Sequence, residues 1–390
     1  VKSWKTQSLE SLGTVVTGST PRTAEASFYG SEIPFVTPAD LDGTEPIVKA
    51  ARYLSVSGGK EARLLPEGAV MVSCIGTLGK VGYAGRTVAT NQQINAVIFE
   101  PTIIWSRFGY YACRLLKKKL NTMAPATTLP IVSKSKFSKL EILFPSLPEQ
   151  RRIAAILDKA DELRAKRRAA LAHLDSLAQS IFIDMFGDPT TNTKKWEVAT
   201  LASVLTEAKS GFACGENPSK GTFQIRMNNV TTSGNFDFSK KRRVPGDSPN
   251  INTFLLSPGD VLFNATNSPE LVGKSAIFQD CGEPVVFSNH FLRLRTKPKA
   301  LNGFYLLHWL LFQFRRKIFM NICKQWVNQA TVGRDTLLGK MIMLPPINLQ
   351  EEFALRIKHV DGRKMCQQNS LFMYEELFAV LQHRAFRGEL

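Results

Sequence analysis

The chain has 390 residues and a formal net charge of +17 at pH 7, which is too long for one ordinary domain and basic enough to favour a polyanionic partner. No apolar run approaches the roughly 18 residues that span a bilayer, and "VKSWKTQSLE" lacks the apolar core of a signal peptide, so a cytoplasmic protein with no membrane partner is expected. The six cysteines form no C-x-x-C pair and have no nearby histidine at metal spacing, so neither a disulfide framework nor a zinc site is indicated, and reduced, mostly buried thiols are expected.

In chain order, residues 1–147 read as a mixed unit of short strands with a helix or two. Trp4 and Leu9 open it, and "LLPEGAVMVSCIG" (64–76) is a Pro/Gly turn leading into an alternating apolar strand. "TLGKVGYAG" (77–85) and "ATNQQINAVIF" (89–99) follow, and "FGYYACRLLKKKL" (108–120) reads as helical. From Pro148 the apolar residues recur at three- and four-residue steps, predicting a helix over 148–187 that ends at "FGDP" (186–189). At 1.5 Å per residue, roughly 38 helical residues extend about 57 Å.

Residues 188–346 repeat the first unit. Trp196 and Leu201 open it, and "LLSPGDVLFNATN" (255–267), "LVGKSAIFQ" (271–279) and "VFSNHFLRLR" (286–295) match the three stretches above. "GFYLLHWLLFQFRRKI" (303–318) supplies the helix. Residues 347–390 then repeat the long helix at an offset of 200, with "PPINLQEEFALRIKHVD" (345–361) answering "PSLPEQRRIAAILDKAD" (145–161). The spine strands agree while the intervening loops do not.

The offset pairs Ile153 with Phe353, Leu157 with Ile357, Ala160 with Val360, Leu174 with Tyr374, Leu177 with Leu377 and Ile181 with Leu381. Segments 148–186 and 349–390 carry net charges of +1 and 0, so +16 falls on the rest. Two nearly neutral helices with apolar seams are expected to pack as a coiled coil through Ile153, Leu157, Ala160, Leu174, Leu177, Ile181, Phe353, Ile357, Val360, Leu377 and Leu381. The first carries the chain outward and the second must return, so they are expected to run antiparallel. Gly362, where the first helix has Glu162, is expected to interrupt the second.

"SPELVGKS" (268–275) is one residue short of a phosphate-binding loop, but its Gly-Lys has a repeat partner at Gly79-Lys80 and is followed by strand-like sequence rather than a helix. A serine elbow, an H-E-x-x-H motif, a cofactor-binding glycine turn and a nuclease-like acidic cluster are all missing from the sequence, and there are five histidines. Catalytic and metal residues are therefore expected to be none. What distinguishes the loops is amide, hydroxyl and basic side chains. Amides and arginines pair with base edges, while lysine, serine and threonine hold phosphates. Candidate DNA-binding residues in the first unit are Ser19, Thr20, Arg22, Thr37, Lys80, Asn91, Gln92, Gln93, Lys134 and Lys136. In the second they are Lys209, Arg226, Asn228, Asn229, Lys240, Lys241, Arg242, Arg243, Asn264, Lys274, Asn289, His290 and Arg334.

"LPEQRRIAAILDKAD" (147–161), "MFGDP" (185–189), "GTLGK" (76–80) with "NQQI" (91–94), and the terminal "AFRGEL" (385–390) together resemble the specificity subunit of type I restriction-modification enzymes. The resemblance spans the whole chain. It implies an α+β fold with target-recognition domains at 1–147 and 188–346 and spacer helices at 148–187 and 347–390, the helices forming an antiparallel coiled coil. It also implies a non-catalytic subunit whose two domains each read one half of a bipartite, asymmetric site in double-stranded DNA. The coiled coil would set the gap between half-sites, about one helical turn or ~34 Å. Two modification subunits, which methylate adenine, and restriction subunits are the implied partners. S-adenosylmethionine, magnesium and ATP are expected on those partners and no cofactor on this chain. The second helix lacks the P-E-Q-x-x-I pattern of the first. The rival readings are a coiled-coil scaffold without sequence preference and a self-contained DNA-modifying enzyme.

Overall fold

The computed structural model describes residues 4–124, 129–246, 251–327 and 329–390. Within them the chain is α+β and divides into two compact units, one of residues 1–169 and 368–390 and one of residues 170–367. The boundary falls in the middle of both long helices, Leu147–Phe186 and Ile347–Ala385, so each unit holds one globular part and a half of each helix.

In the first unit an antiparallel sheet runs in the order Gly13–Thr17, Ile94–Phe99, Val70–Ser73, Val81–Tyr83. Its alternating side chains serve two cores. Val70, Val72, Val97 and Phe99 face the helix Ser106–Leu115 and the long-helix segments, while Met71, Ile94 and Ala96 face a second sheet. That second sheet pairs Tyr29–Val36 in parallel with Val88–Thr90. The second unit repeats this plan. Leu205–Ser210, Phe291–Thr296, Val261–Asn264 and Ser275–Ile277 form the antiparallel sheet, and Thr222–Ile225 pairs in parallel with Val285–Phe287. In each unit a two-stranded ribbon leads to the long helix: Lys5–Ser8 with Glu141–Phe144, and Glu197–Thr200 with Met341–Leu344.

The helix segments run antiparallel within each unit. In the first, Arg168 pairs with Glu375 at 2.7 Å and the Arg164 guanidinium lies 4.4 Å from the Phe378 ring centroid. In the second, Lys364 pairs with Asp175 at 2.9 Å, and Phe182 and Phe186 both meet Phe353. Ile153, Leu157, Ala160, Phe353, Ile357 and Val360 are buried, and Leu174, Ile181 and Leu381 are partly buried. The structure differs from the expected seam at Leu177 and Leu377, which are 44% and 47% exposed, while their neighbours Ala178 and Phe378 are buried. Strict four-three steps from Ile153 and Phe353 arrive at Ala178 and Phe378. The leucines draw attention by their size, yet sit one residue off the stripe. Leu177 lines an open groove of about 810 Å³ with Ala170, His173, Leu174 and Cys366.

The same steps place Arg164 and Lys364 in the seam. Arg164, half-buried, is held by Asp161, and the buried Lys364 by Asp175 and Asp361, so both seam cations are neutralised. The second helix runs unbroken through Gly362, since a lone glycine costs a helix only about 1 kcal/mol. Of the six cysteines, Cys74 and Cys113 are buried, and burial pushes their thiols up to about 11 and about 12. Cys214 and Cys323 are half-buried and Cys281 and Cys366 exposed, so burial is less general than the sequence suggested.

Candidate nucleic-acid interface

In each unit the candidate loops converge where the two parallel strands end. In the first, Gly18 donates its amide to the Ile94 carbonyl, Ser19 to Thr90 and Asn91 to Val36, at 2.9 to 3.2 Å. These bonds draw 18–20, 37–40 and 90–93 into one patch. The Thr20 hydroxyl meets Gln92 Oε1 at 2.6 Å across it, and the Ser19 hydroxyl accepts from the Arg63 amide. In the second unit Gly211 donates to Phe291, Phe212 to Phe287 and Ser288 to Ile225, an identical bonding scheme built from different residues.

The equivalence is close enough to match positions one by one. Gly18 answers Gly211, Ser19 answers Phe212, Thr37 answers Arg226, and Asn91 answers Ser288. A Cβ on Gly18 would lie 2.2 Å from the Asn91 carbonyl oxygen, and one on Gly211 would lie 2.3 Å from that of Phe287, so both positions require glycine. The turn after the first parallel strand is closed in one unit by Asp40, which accepts from the Thr37 amide and hydroxyl at 2.8 Å. Asn229 closes it in the other, accepting from the Arg226 amide at 2.9 Å.

Several expected contacts are unavailable to a ligand. Asn229 is 1% exposed, its Nδ2 donating to the carbonyls of Asp237 and Lys240. Asn264 is fully buried and donates to the Thr266 and His290 carbonyls. The Lys274 ammonium is buried against the carbonyls of Met227 at 2.9 Å and Val230 at 2.7 Å, and burial lowers its pKa. These three are corrections to the DNA-binding set. Each serves backbone acceptors that only the folded chain gathers. Lys274 also explains the near-miss phosphate-loop motif: Gly273 turns the chain at a φ of +93°, strand Ser275–Ile277 follows, and the lysine braces the neighbouring turn.

The other candidates reach the surface to differing degrees. Arg22, Gln92, Lys134, Lys136, Asn228, Lys240, Asn289 and Arg334 are exposed, and Arg334 donates to the Ala208 carbonyl. Thr37, Lys80, Asn91, Gln93, Lys209, Arg226 and His290 are half-buried. Lys80 sits 3.9 Å from Asp42, Asn91 and Gln93 bond each other, and Lys209 lies over the Phe254 ring. The 240–243 run is less free than its charge suggests. Lys241 and Arg243 both pair with Glu283, holding that carboxyl below its usual range, and Arg242 bonds the carbonyls of Cys214, Gly215 and Glu216. Burial first, and the Arg226 charge second, lower the pKa of His290. Of the basic and amide-rich loop "QWVNQATVGR" (325–334) that ends in Arg334, Asn328 lies outside the described residues.

Gly211 and Phe212, the partners of Gly18 and Ser19, lie in "EAKSGF" (207–212), a loop the sequence singles out but from which only Lys209 is chosen as a candidate. The available signal was a glycine directly after a strand in both repeats, Thr17-Gly18 and Ser210-Gly211. Among the described residues no group of three or more His, Cys, Asp or Glu gathers as metal ligands, and no helix is long and apolar enough to cross a membrane.

Comparison with known proteins follows the same two-part division. The model of the type I restriction modification DNA specificity domain matches residues 1–173 and 193–368. The MjaIX type I restriction enzyme specificity subunit of Methanocaldococcus jannaschii is 28% identical over 225 residues, covering 52% of each chain. The EcoKI specificity subunit of Escherichia coli is 23% identical over 297 residues, 71% of this chain and 63% of that one. The chain spans about half the length of the M. jannaschii relatives MjaIX and MjaX that it matches. The crystal structure of a type I restriction-modification S subunit from M. genitalium superposes with a TM-score of 0.58 at 14% identity, covering 98% of this chain and 96% of that one. At that identity the likeness concerns the fold. Because the match takes in both repeats, and with them both sets of converging loops, this chain belongs to the type I restriction modification DNA specificity domain family.

Proposed function

We propose that the chain is the non-catalytic DNA-recognition subunit of a type I restriction-modification complex, working in the cytoplasm. Each unit reads one half of a bipartite, asymmetric site in double-stranded DNA. The observation that carries this reading is the pair of equivalent loop clusters, identical in backbone bonding and different in side chains at Ser19/Phe212 and Thr37/Arg226. One scaffold with two sets of letters reads two different half-sites. The excess of positive charge outside the long helices suits a phosphate backbone.

The paired helices set the spacing between half-sites and dock two modification subunits, with restriction subunits joining them. S-adenosylmethionine, magnesium and ATP belong to those partners. The test is methylome sequencing of cells carrying this chain with its modification subunit, against cells lacking the chain. A chain-dependent N6-methyladenine signal at one two-part motif is expected. No such signal from an assembled complex with an active modification subunit would overturn the proposal, and methylation by the purified chain alone would revive the enzyme reading. Inserting one heptad in each helix is expected to lengthen the gap and leave both half-sites unchanged.

A further inference from the structure

We infer that Arg226 is the guanine-reading residue of the second unit, an assignment that rests on the DNA-recognition function proposed above. Arg226 is the first residue beyond strand Thr222–Ile225, where the parallel pair ends and the loops converge. The turn that presents it is fixed on two sides. Asn229 accepts from its backbone amide, and the buried Lys274 ammonium ties down the Met227 and Val230 carbonyls of the same turn. A side chain on so braced a turn loses little freedom on binding.

Other cations of the unit have acidic partners, while the charged group that acts on Arg226 is a second cation, Arg242, bonded to the Cys214, Gly215 and Glu216 carbonyls. Lys241 and Arg243 share Glu283, Arg293 is held by Glu207, and Arg295 by Asp260. Among the described residues Arg226 has no acidic partner, and the residue is half-buried. The first unit shows how pairing at this turn could have been supplied. There the closing residue is the carboxylate Asp40, and Thr37 spends its hydroxyl on it. The second unit replaces that carboxylate with the uncharged Asn229, whose amide is itself occupied. The fork of Arg226 is therefore not claimed by an acid, and its charge is felt by His290 of the third converging loop. A planar five-donor fork at a fixed position matches the O6 and N7 acceptors of guanine in the major groove, and Thr37 at the equivalent place has no such fork.

The test is methylome sequencing of cells expressing the full chain with its modification subunit, comparing wild type, Arg226→Gln and Arg226→Lys. One G·C position in one half-site should relax by about 10- to 100-fold in both variants, the other half-site serving as the internal control for folding and assembly. Lysine keeps the charge and loses the fork, so it separates base reading from phosphate binding. An unchanged motif in Arg226→Gln would overturn the assignment. So would a uniform drop across all sites that Arg226→Lys restores, which marks a phosphate contact. If Arg226→Gln abolishes all methylation, a relaxed motif in Arg226→Lys sustains the assignment and an intact one rejects it. If wild type directs no methylation, the recognition function falls first and this assignment with it.

Discussion

Gln150 and Gln350, 200 positions apart in the chain, make the same three hydrogen bonds in their respective units. Gln150 accepts from the Trp105 amide and donates to the Ile103 and Pro145 carbonyls; Gln350 accepts from Asn302 and donates to Ala300 and Pro345. Both are fully buried, so each ties the first turn of a long helix to the loop before the unit's packed helix. Replacing either by leucine orphans one backbone amide and two carbonyls. Such a change is expected to cost about 2–4 kcal/mol in the affected unit, read as a lowered calorimetric transition.

The seam positions separate by the same measurement. Phe378 is 4% exposed against Arg164 and Arg114, so Phe378→Ala is expected to cost about 3–5 kcal/mol. Leu177→Ala is expected to cost well under about 1 kcal/mol, because the side chain is nearly half exposed. Equal costs would restore Leu177 to the seam.

His308 introduces an acid-labile element into the second unit. Its ring lies 5.1 Å from that of Phe353, and burial, with the charges of Lys364 and Arg315, pushes its pKa down to about 3. The folded pKa is depressed, so the unfolded chain binds the proton more readily. The contribution is whole above pH ~6.5 and is lost as pH falls toward 3, the loss reaching roughly 1 kcal/mol by pH 5.5. His308→Phe keeps the aromatic contact and is expected to flatten denaturant midpoints between pH 7.5 and 5.5.

Gly18→Ala and Gly211→Ala each force a methyl group onto a carbonyl oxygen of the neighbouring loop. Each is expected to weaken recognition of one half-site by tenfold or more, measured by competition with half-site-substituted duplexes, while the other half-site keeps its preference.

Salt dependence tests which lysines face the phosphates. Lys134 and Lys136 are exposed on the first unit, and changing both to glutamine is expected to reduce the log–log salt slope of DNA binding by about 2. Lys274→Met is expected to leave the slope unchanged and lower stability, because that ammonium is bound to carbonyls inside the second unit.

Much of this architecture was legible in the chain because helix and strand periodicity are local. The 200-residue offset, the two long helices, the strand pairs of each repeat and the charge imbalance all follow from residue order. The path to a mixed α+β fold with two related units is set by those patterns alone. What only the tertiary structure decided is which side chains are free. Arg226 and Lys274 are both basic loop residues in sequence, yet one heads the turn at the converging loops with no acidic partner among the described residues and the other is buried beneath the same turn. Leu177 outranks Ala178 by size, yet the alanine is buried. The physical reason is the same in both cases. Backbone acceptors and the second wall of a helix seam come from segments remote in sequence, and they select among chemically similar residues only once the chain has folded.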